Sequence, residues 1–274
     1  MRRGLPARDG ALGSTPQAAE VKKRQPIQGR TDMRFMVMHK VDAKMEAGGP
    51  PDPQIIQNMG ALVQESLKNG VFITGAGLHP SAKRVRIKSA AGTCQVSPGP
   101  YAGENELLAS YAMLKVKSMA EAVTHAQRYA LAEGECEVEV GPVVEAWDLG
   151  IMPKPAGDIP VQVLLLTKAD AAFERGHAPK AHPVAGLQAL SESLGERGAI
   201  LTTGSLAPSA KGARAKPSSG KRTWIDGPFA ESKELIAGFS ILEVPSLQAA
   251  IAWADRYATI LTDAEVDVRQ LNEV

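Results

Sequence analysis

Aromatic residues make up only 4% of this 274-residue chain, and cysteine occurs twice, at Cys94 and Cys136. Two thiols in so long a chain cannot supply a disulfide framework; they read as small buried hydrophobes of a reducing compartment, so a cytoplasmic location is expected. No apolar run approaches the roughly 18–20 residues of a transmembrane helix, so no membrane association is expected. No HxH or HExxH spacing occurs, which leaves no ligand set for a metal. Gly75-Ala76-Gly77 leads into Leu78-His79-Pro80 rather than into a helix, so it is no phosphate cradle, and no cofactor is expected. A basic stripe interleaved with aromatics is also missing, which argues against direct nucleic-acid binding.

The formal net charge of +1 is unevenly spread. Residues 1–32 hold seven Lys or Arg against three acids and have no apolar period, leaving 24 bases and 27 acids, a net charge of −3, for the rest. Too few apolar groups are present in that stretch to offset ordering entropy, so it reads as a disordered tail, or as the product of a start assigned upstream of Met33.

What the chain has is a repeat. Asp226-Gly227-Pro228-Phe229-Ala230-Glu231-Ser232-Lys233-Glu234 returns 128 positions earlier, eroded, as Pro98-Gly99-Pro100-Tyr101-Ala102-Gly103-Glu104-Asn105-Glu106. The same offset pairs Leu78-His79-Pro80-Ser81-Ala82-Lys83 with Leu206-Ala207-Pro208-Ser209-Ala210-Lys211, and Arg128-Tyr129-Ala130 with Arg256-Tyr257-Ala258. A period this long means tandem domains rather than a solenoid. The copies span 33–145 and 161–274, joined by a linker at 146–160, and each is large enough to bury a core.

Copy one reads as a buried strand at 34–39, a helix opened by Asp52-Pro53 and closed by Gly70, a strand at 71–74, a strand at 85–88 continuing near 94–96, a strand at 108–116, a helix capped by Ser118 with Glu121, and a strand at 136–140. Copy two repeats this order, with Gly198 as the helix cap. Strand, helix, strand, strand, helix, strand builds an antiparallel sheet with both helices on one face, a ferredoxin-like α+β domain. The bare face of each sheet is expected to be covered by the other copy, giving two domains packed sheet to sheet as an internal pseudo-dimer. Edge strands leave room for a second chain, a homo-oligomer.

The run from Asp226 to Glu234 resembles the signature of the DGPF proteins, grouped within the YCII-related family; Gly204-Ser205-Leu206-Ala207-Pro208, Ala250-Ile251-Ala252-Trp253-Ala254 and Val266-Asp267-Val268-Arg269 agree with it. The resemblance covers both copies and implies a dimeric α+β barrel. For function it implies little: an enzymatic role suspected from a His and Asp pair, and a link to transcription initiation from members fused to sigma-factor regions. Copy one departs from the signature at Pro98, Gly103 and Asn105, so chemistry that needs the motif Asp must come from copy two.

Two readings of Asp226 stand side by side. Partly buried at the mouth of an inter-sheet pocket, it would be a general acid or base acting on an unknown small molecule, with His182 as a loose candidate for the family histidine. Trp224, Gly227, Pro228, Phe229, Glu231, Lys233 and Arg269 would then surround the ligand. Alternatively Asp226 caps its own turn, Glu231 and Lys233 are solvated, and Arg269 is an exposed edge cation. The competing functional class is a non-catalytic module that binds a transcription-related protein. His39, His79 and His125 face Thr167, Ala207 and Trp253 at the repeat offset and have no counterparts.

Overall fold

The computed structural model describes residues 32–176, 183–195, 199–218, 221–230, 232–262 and 264–272. Copy one contains β1 (Met33–Lys40), a short α1 (Ala43–Glu46), α2 (Pro53–Lys68), β2 (Phe72–Gly77), β3 (Val85–Ala90), β4 (Thr93–Pro98), β5 (Leu108–Val116), α3 (Met119–Glu133) and β6 (Cys136–Pro142). Copy two contains β7 (Val161–Lys168), α4 (Ala171–Glu174), α5 (Pro183–Leu194), β8 (Ala199–Ser205), β9 (Gly212–Ser218), β10 (Lys221–Asp226), β11 (Ile236–Val244), α6 (Leu247–Ile260) and β12 (Val266–Gln270). None of the described helices is long and apolar enough to cross a membrane.

The local signals act as the sequence implies. Asp52 accepts from the Gln54 N–H beside Pro53, Ser118 accepts from Glu121 N–H, and Gly70 follows α2 at φ +70°. The expected continuation of β3 is instead a separate strand, because Ala91 and Gly92 both take positive φ and fold β3 and β4 into a hairpin. Gly198 lies outside the described residues.

The class is α+β, with two six-stranded sheets in which every pairing is antiparallel: β10-β9-β12-β1-β11-β2 and β4-β3-β6-β7-β5-β8. Neither sheet belongs to one copy. β1 and β2 of copy one flank β11 of copy two, and β7 and β8 of copy two flank β5 of copy one. The expectation that each copy closes its own sheet is therefore corrected. The chain passes between sheets at residues 78–84 and again at 206–211, the repeated Leu-X-Pro-Ser-Ala-Lys segments.

Strand alternation sends successive side chains to opposite faces. Met36, Met38, Phe239 and Ile241 of the first sheet meet Tyr111, Met113, Leu164 and Leu166 of the second, with the Tyr111 and Phe239 rings 5.8 Å apart. Phe35, Val37, Leu242 and Val244 point the other way, onto Leu62 of α2 and Ala250, Trp253 and Tyr257 of α6. Ala112, Leu114, Val163 and Leu165 do the same against α3 and α5.

Candidate functional site

The motif turn is held by its glycine and aromatic residue. A Cβ on Gly227 would overlap the Ser209 carbonyl, and one on Gly99 the Ser81 carbonyl. Phe229 N–H donates to Ser209 Oγ at 2.9 Å, and Tyr101 N–H to Ser81 Oγ at 3.3 Å. The ring that follows lies under a guanidinium in each copy, Phe229 at 4.3 Å from Arg214 and Tyr101 at 4.0 Å from Arg86. The turn thus fastens the loop after the β9–β10 or β3–β4 hairpin to the segment that crosses between sheets. One erosion has a steric reason: Gly103 lies against the Lys233 carbonyl, where any Cβ would collide.

Asp226 takes no part in this fastening. It ends the edge strand β10, is exposed, and its carboxylate meets no partner among the described residues, so the expected partly buried position is corrected. Trp224 donates to Asp255 at 3.3 Å and packs on the helix-covered core rather than between the sheets. Pro228 and Lys233 are exposed. His182 and Glu231 lie outside the described residues. Arg269 is neither an edge cation nor a partner of Asp226 or Glu234: β12 is an interior strand, and the buried guanidinium donates to the Ala207 and Leu108 carbonyls and pairs with Glu174 at 3.2 Å.

A cavity of about 780 Å³ opens elsewhere, between α2, β2, β11 and α6. Ile55, Ile56, Met59, Phe72 and Leu261 give it apolar walls, and His39, Ser240 and Tyr257 bring polar groups to it. His39 Nδ1 and the Tyr257 hydroxyl are 2.6 Å apart, and Tyr257 stacks on Trp253, whose Nε1–H donates to Ser66 Oγ at 2.8 Å. Burial, with the nearby Arg84 charge, pushes the His39 pKa down to about 4. The imidazole is therefore neutral near pH 7, with one nitrogen donating and the other accepting. Burial likewise raises the Tyr257 hydroxyl far above its ordinary value. Also lining the cavity, His79 pairs with Asp148 at 3.2 Å, and burial followed by the Lys83 charge lowers its pKa.

Among the described residues, the corresponding helix pair of the other half is in direct contact. Thr167 stands where His39 does, and the Tyr129 hydroxyl is satisfied by Thr167 Oγ1 at 3.1 Å and Ser110 Oγ at 3.2 Å. There α5 lies on α3: Gly186 N–H donates to Glu133 at 2.8 Å, and Ser193 bonds to His125. A Cβ on Gly186 would fall 2.7 Å from the Tyr129 ring, which permits only glycine at this approach. The counterparts of Gly186 and Glu133 at the repeat offset are Asn58 and Leu261, so the same approach of α2 to α6 is blocked. Gly186→Asn is expected to pry α5 from α3 and cost about 1–3 kcal/mol, read as a lower urea midpoint. An unchanged midpoint would mean that helix volume does not set the asymmetry.

In the sequence, His39 and His79 form no metal-ligand pattern and have no histidine at the repeat offset. That difference between copies is the trace in the sequence that singles them out. Among the described residues no cluster of His, Cys, Asp and Glu could hold a metal ion.

No curated protein and no solved structure matches the chain. A family model, that of the YCII-related domain, matches residues 33–145 and again residues 161–272. With the motif turn present twice and both matches covering the folded body, the chain belongs to the YCII-related family and carries two tandem copies of its domain.

Proposed function

We propose that the protein binds a small organic molecule in the cavity between α2 and α6, with His39 and Tyr257 as the groups that contact it. The supporting observation is the cavity itself with the histidine beside it: about 780 Å³ opens between α2 and α6, and His39 stands there where the other copy has Thr167. An apolar cleft of that size with a few converging polar groups is what a small-molecule site requires. A neutral imidazole against a phenol is suited to hydrogen-bonding a ligand, or to accepting a proton from one as a weak base. The shared core between the sheets further supports reading the two copies as one chain's version of the family's two-chain barrel.

The test is a metabolite-library thermal-shift screen on the full chain. A ligand of this cavity raises the melting temperature of wild type and of Asp226→Asn alike, and loses its effect in Ile56→Trp, which fills the cavity from α2. Loss in Asp226→Asn with retention in Ile56→Trp would move the site to the motif turn.

A further inference from the structure

The sheet beneath the cavity carries few side chains on its helix side. β11 sets Gly238 beside His39 of β1 and Gly77 of β2, and sets Ser240 beside Val37 and Gly75. A Cβ on Gly238 would lie 2.5 Å from His39 Cε1, and one on Gly75 would lie 3.1 Å from Ser240 Oγ, so these glycines leave space for the imidazole and the hydroxyl. At the repeat offset Gly238, Gly77 and Gly75 are Ser110, Ser205 and Thr203, and Ser240 is Ala112. Glycine within a strand marks a place that something approaches closely.

The exchange of Ser110 for Gly238 also changes what the tyrosine above it can bond. The Tyr129 hydroxyl has two partners, Ser110 and Thr167, whereas that of Tyr257 has His39 Nδ1. A phenol buried this deeply keeps its proton and needs an acceptor for it, so Tyr257 O–H donates and Nδ1 accepts. The neutral imidazole then carries its hydrogen on the other nitrogen, and Nε2–H is a donor. Among the described residues Nε2 meets no partner, nor does Ser240 Oγ, and neither is one of the sealed polar atoms that lack one. Both therefore open onto accessible space, and both residues line the cavity.

No free charge reaches that place. Arg84, where the other copy has Gly212, is sealed in the wall by the His79 and Ile236 carbonyls and Glu139. Asp42 and Asp52 cap helices, Glu46 holds Ser81, Asp148 pairs with His79, and Lys44 and Lys83 are exposed. An ion brought to His39 would lose its hydration without gaining an opposite charge. We infer that the cavity takes an uncharged organic compound whose carbonyl oxygen accepts from His39 Nε2–H and whose apolar body lies along Ile55 and Met59 of α2. Of the two roles proposed for His39, this selects hydrogen-bond donor over base.

This inference rests on the cavity being the binding site, and the experiment separates the two claims. Four compounds of nearly one shape, ethylbenzene, acetophenone, benzoate and benzylammonium, are titrated into the full chain. Methionine-methyl NMR of Met45 and Met59, which line the cavity, reads occupancy. Nitrogen NMR of labelled histidine reads the His39 ring, assigned by the signal lost in His39→Gln. Nε2 is expected to carry the proton before titration. Acetophenone is expected to shift both methyl signals and Nε2, and to bind about tenfold or more tighter than either ion. Ethylbenzene is expected to move the methyl signals alone. A proton on Nδ1, an ion binding as tightly as acetophenone, or an Nε2 signal unmoved by acetophenone would overturn the carbonyl assignment, while shifted methyl signals would leave the cavity standing as a site. Methyl signals unmoved by all four compounds would count against both. The ranking of the four compounds needs only the wild type, so it stands even where His39→Gln fails to fold.

Discussion

Asp267→Asn lowers the unfolding free energy by about 3–5 kcal/mol, the cost of leaving buried cations without their anion. Asp267 lies on β12 and is 1% exposed. One oxygen accepts from Arg214 Nε at 2.5 Å, and the other accepts from Arg214 Nη2 at 2.8 Å and faces Lys40 Nζ at 3.2 Å. Lys40 ends β1, the copy-one strand inserted into a sheet made largely of copy two, so this carboxylate binds the guest strand to its host. An asparagine keeps the shape and one acceptor but strands Lys40 and weakens Arg214, which retains Glu265 at 3.3 Å. Burial works to raise the Asp267 carboxyl, and Lys40 and Arg214 overcome it and hold it below the usual carboxylate range. Urea unfolding at pH 7 measures the loss. A drop under about 1 kcal/mol would show that Lys40 reaches water in the variant. The exposed pair of Arg256 with Glu65 is the control, and its removal leaves the midpoint unmoved.

His39→Gln gains about 3 kcal/mol relative to wild type between pH 7 and pH 4. Unfolded, the imidazole takes up a proton near pH 6.5, whereas in the fold it resists until about pH 4. The unfolded state binds more protons across that window, so the His39 contribution is present above pH 6.5 and is lost as pH falls toward 4. Glutamine has no such transition. Glu133 runs the other way, since burial raises its carboxyl to about 7 and protonation then favours the fold as pH drops. The difference between variant and wild type, not the wild-type slope, therefore isolates His39. A further loss belongs to Glu139: burial works to raise it, but Lys168 and Arg84 hold it at about 2, so its contribution is present above 4.5 and is lost below. A flat difference from pH 7 to 4 would place His39 in contact with water and weaken its assignment to a closed site.

The repeat frame, the helix caps and the apolar strands were legible because each is local or strictly periodic. Strand exchange was not, since β5 and β11 are repeat equivalents and no periodicity in the chain shows that β1 pairs with β11. The motif is a structural turn rather than a pocket. Its most recognisable residues, Gly227 and Phe229, are held by steric contact and a ring under Arg214, and Asp226 stands in solvent beside them. The cavity was recoverable only from differences between copies: His39 against Thr167, Asn58 against Gly186, Arg84 against Gly212. Each looks like drift until the fold places all three at corresponding points of the two halves.

The close approach of α5 to α3 at Gly186 bears on why two copies share a chain. In a symmetric pair of identical subunits every substitution appears twice, and a residue that closes one cleft closes both. Covalent fusion removes that coupling. One half was then free to bring its helices together through Gly186, while the other kept Asn58 at that position and the histidine beside its cavity. Duplication followed by fusion thus lets the two helix pairs differ, which no homodimer of this domain can do.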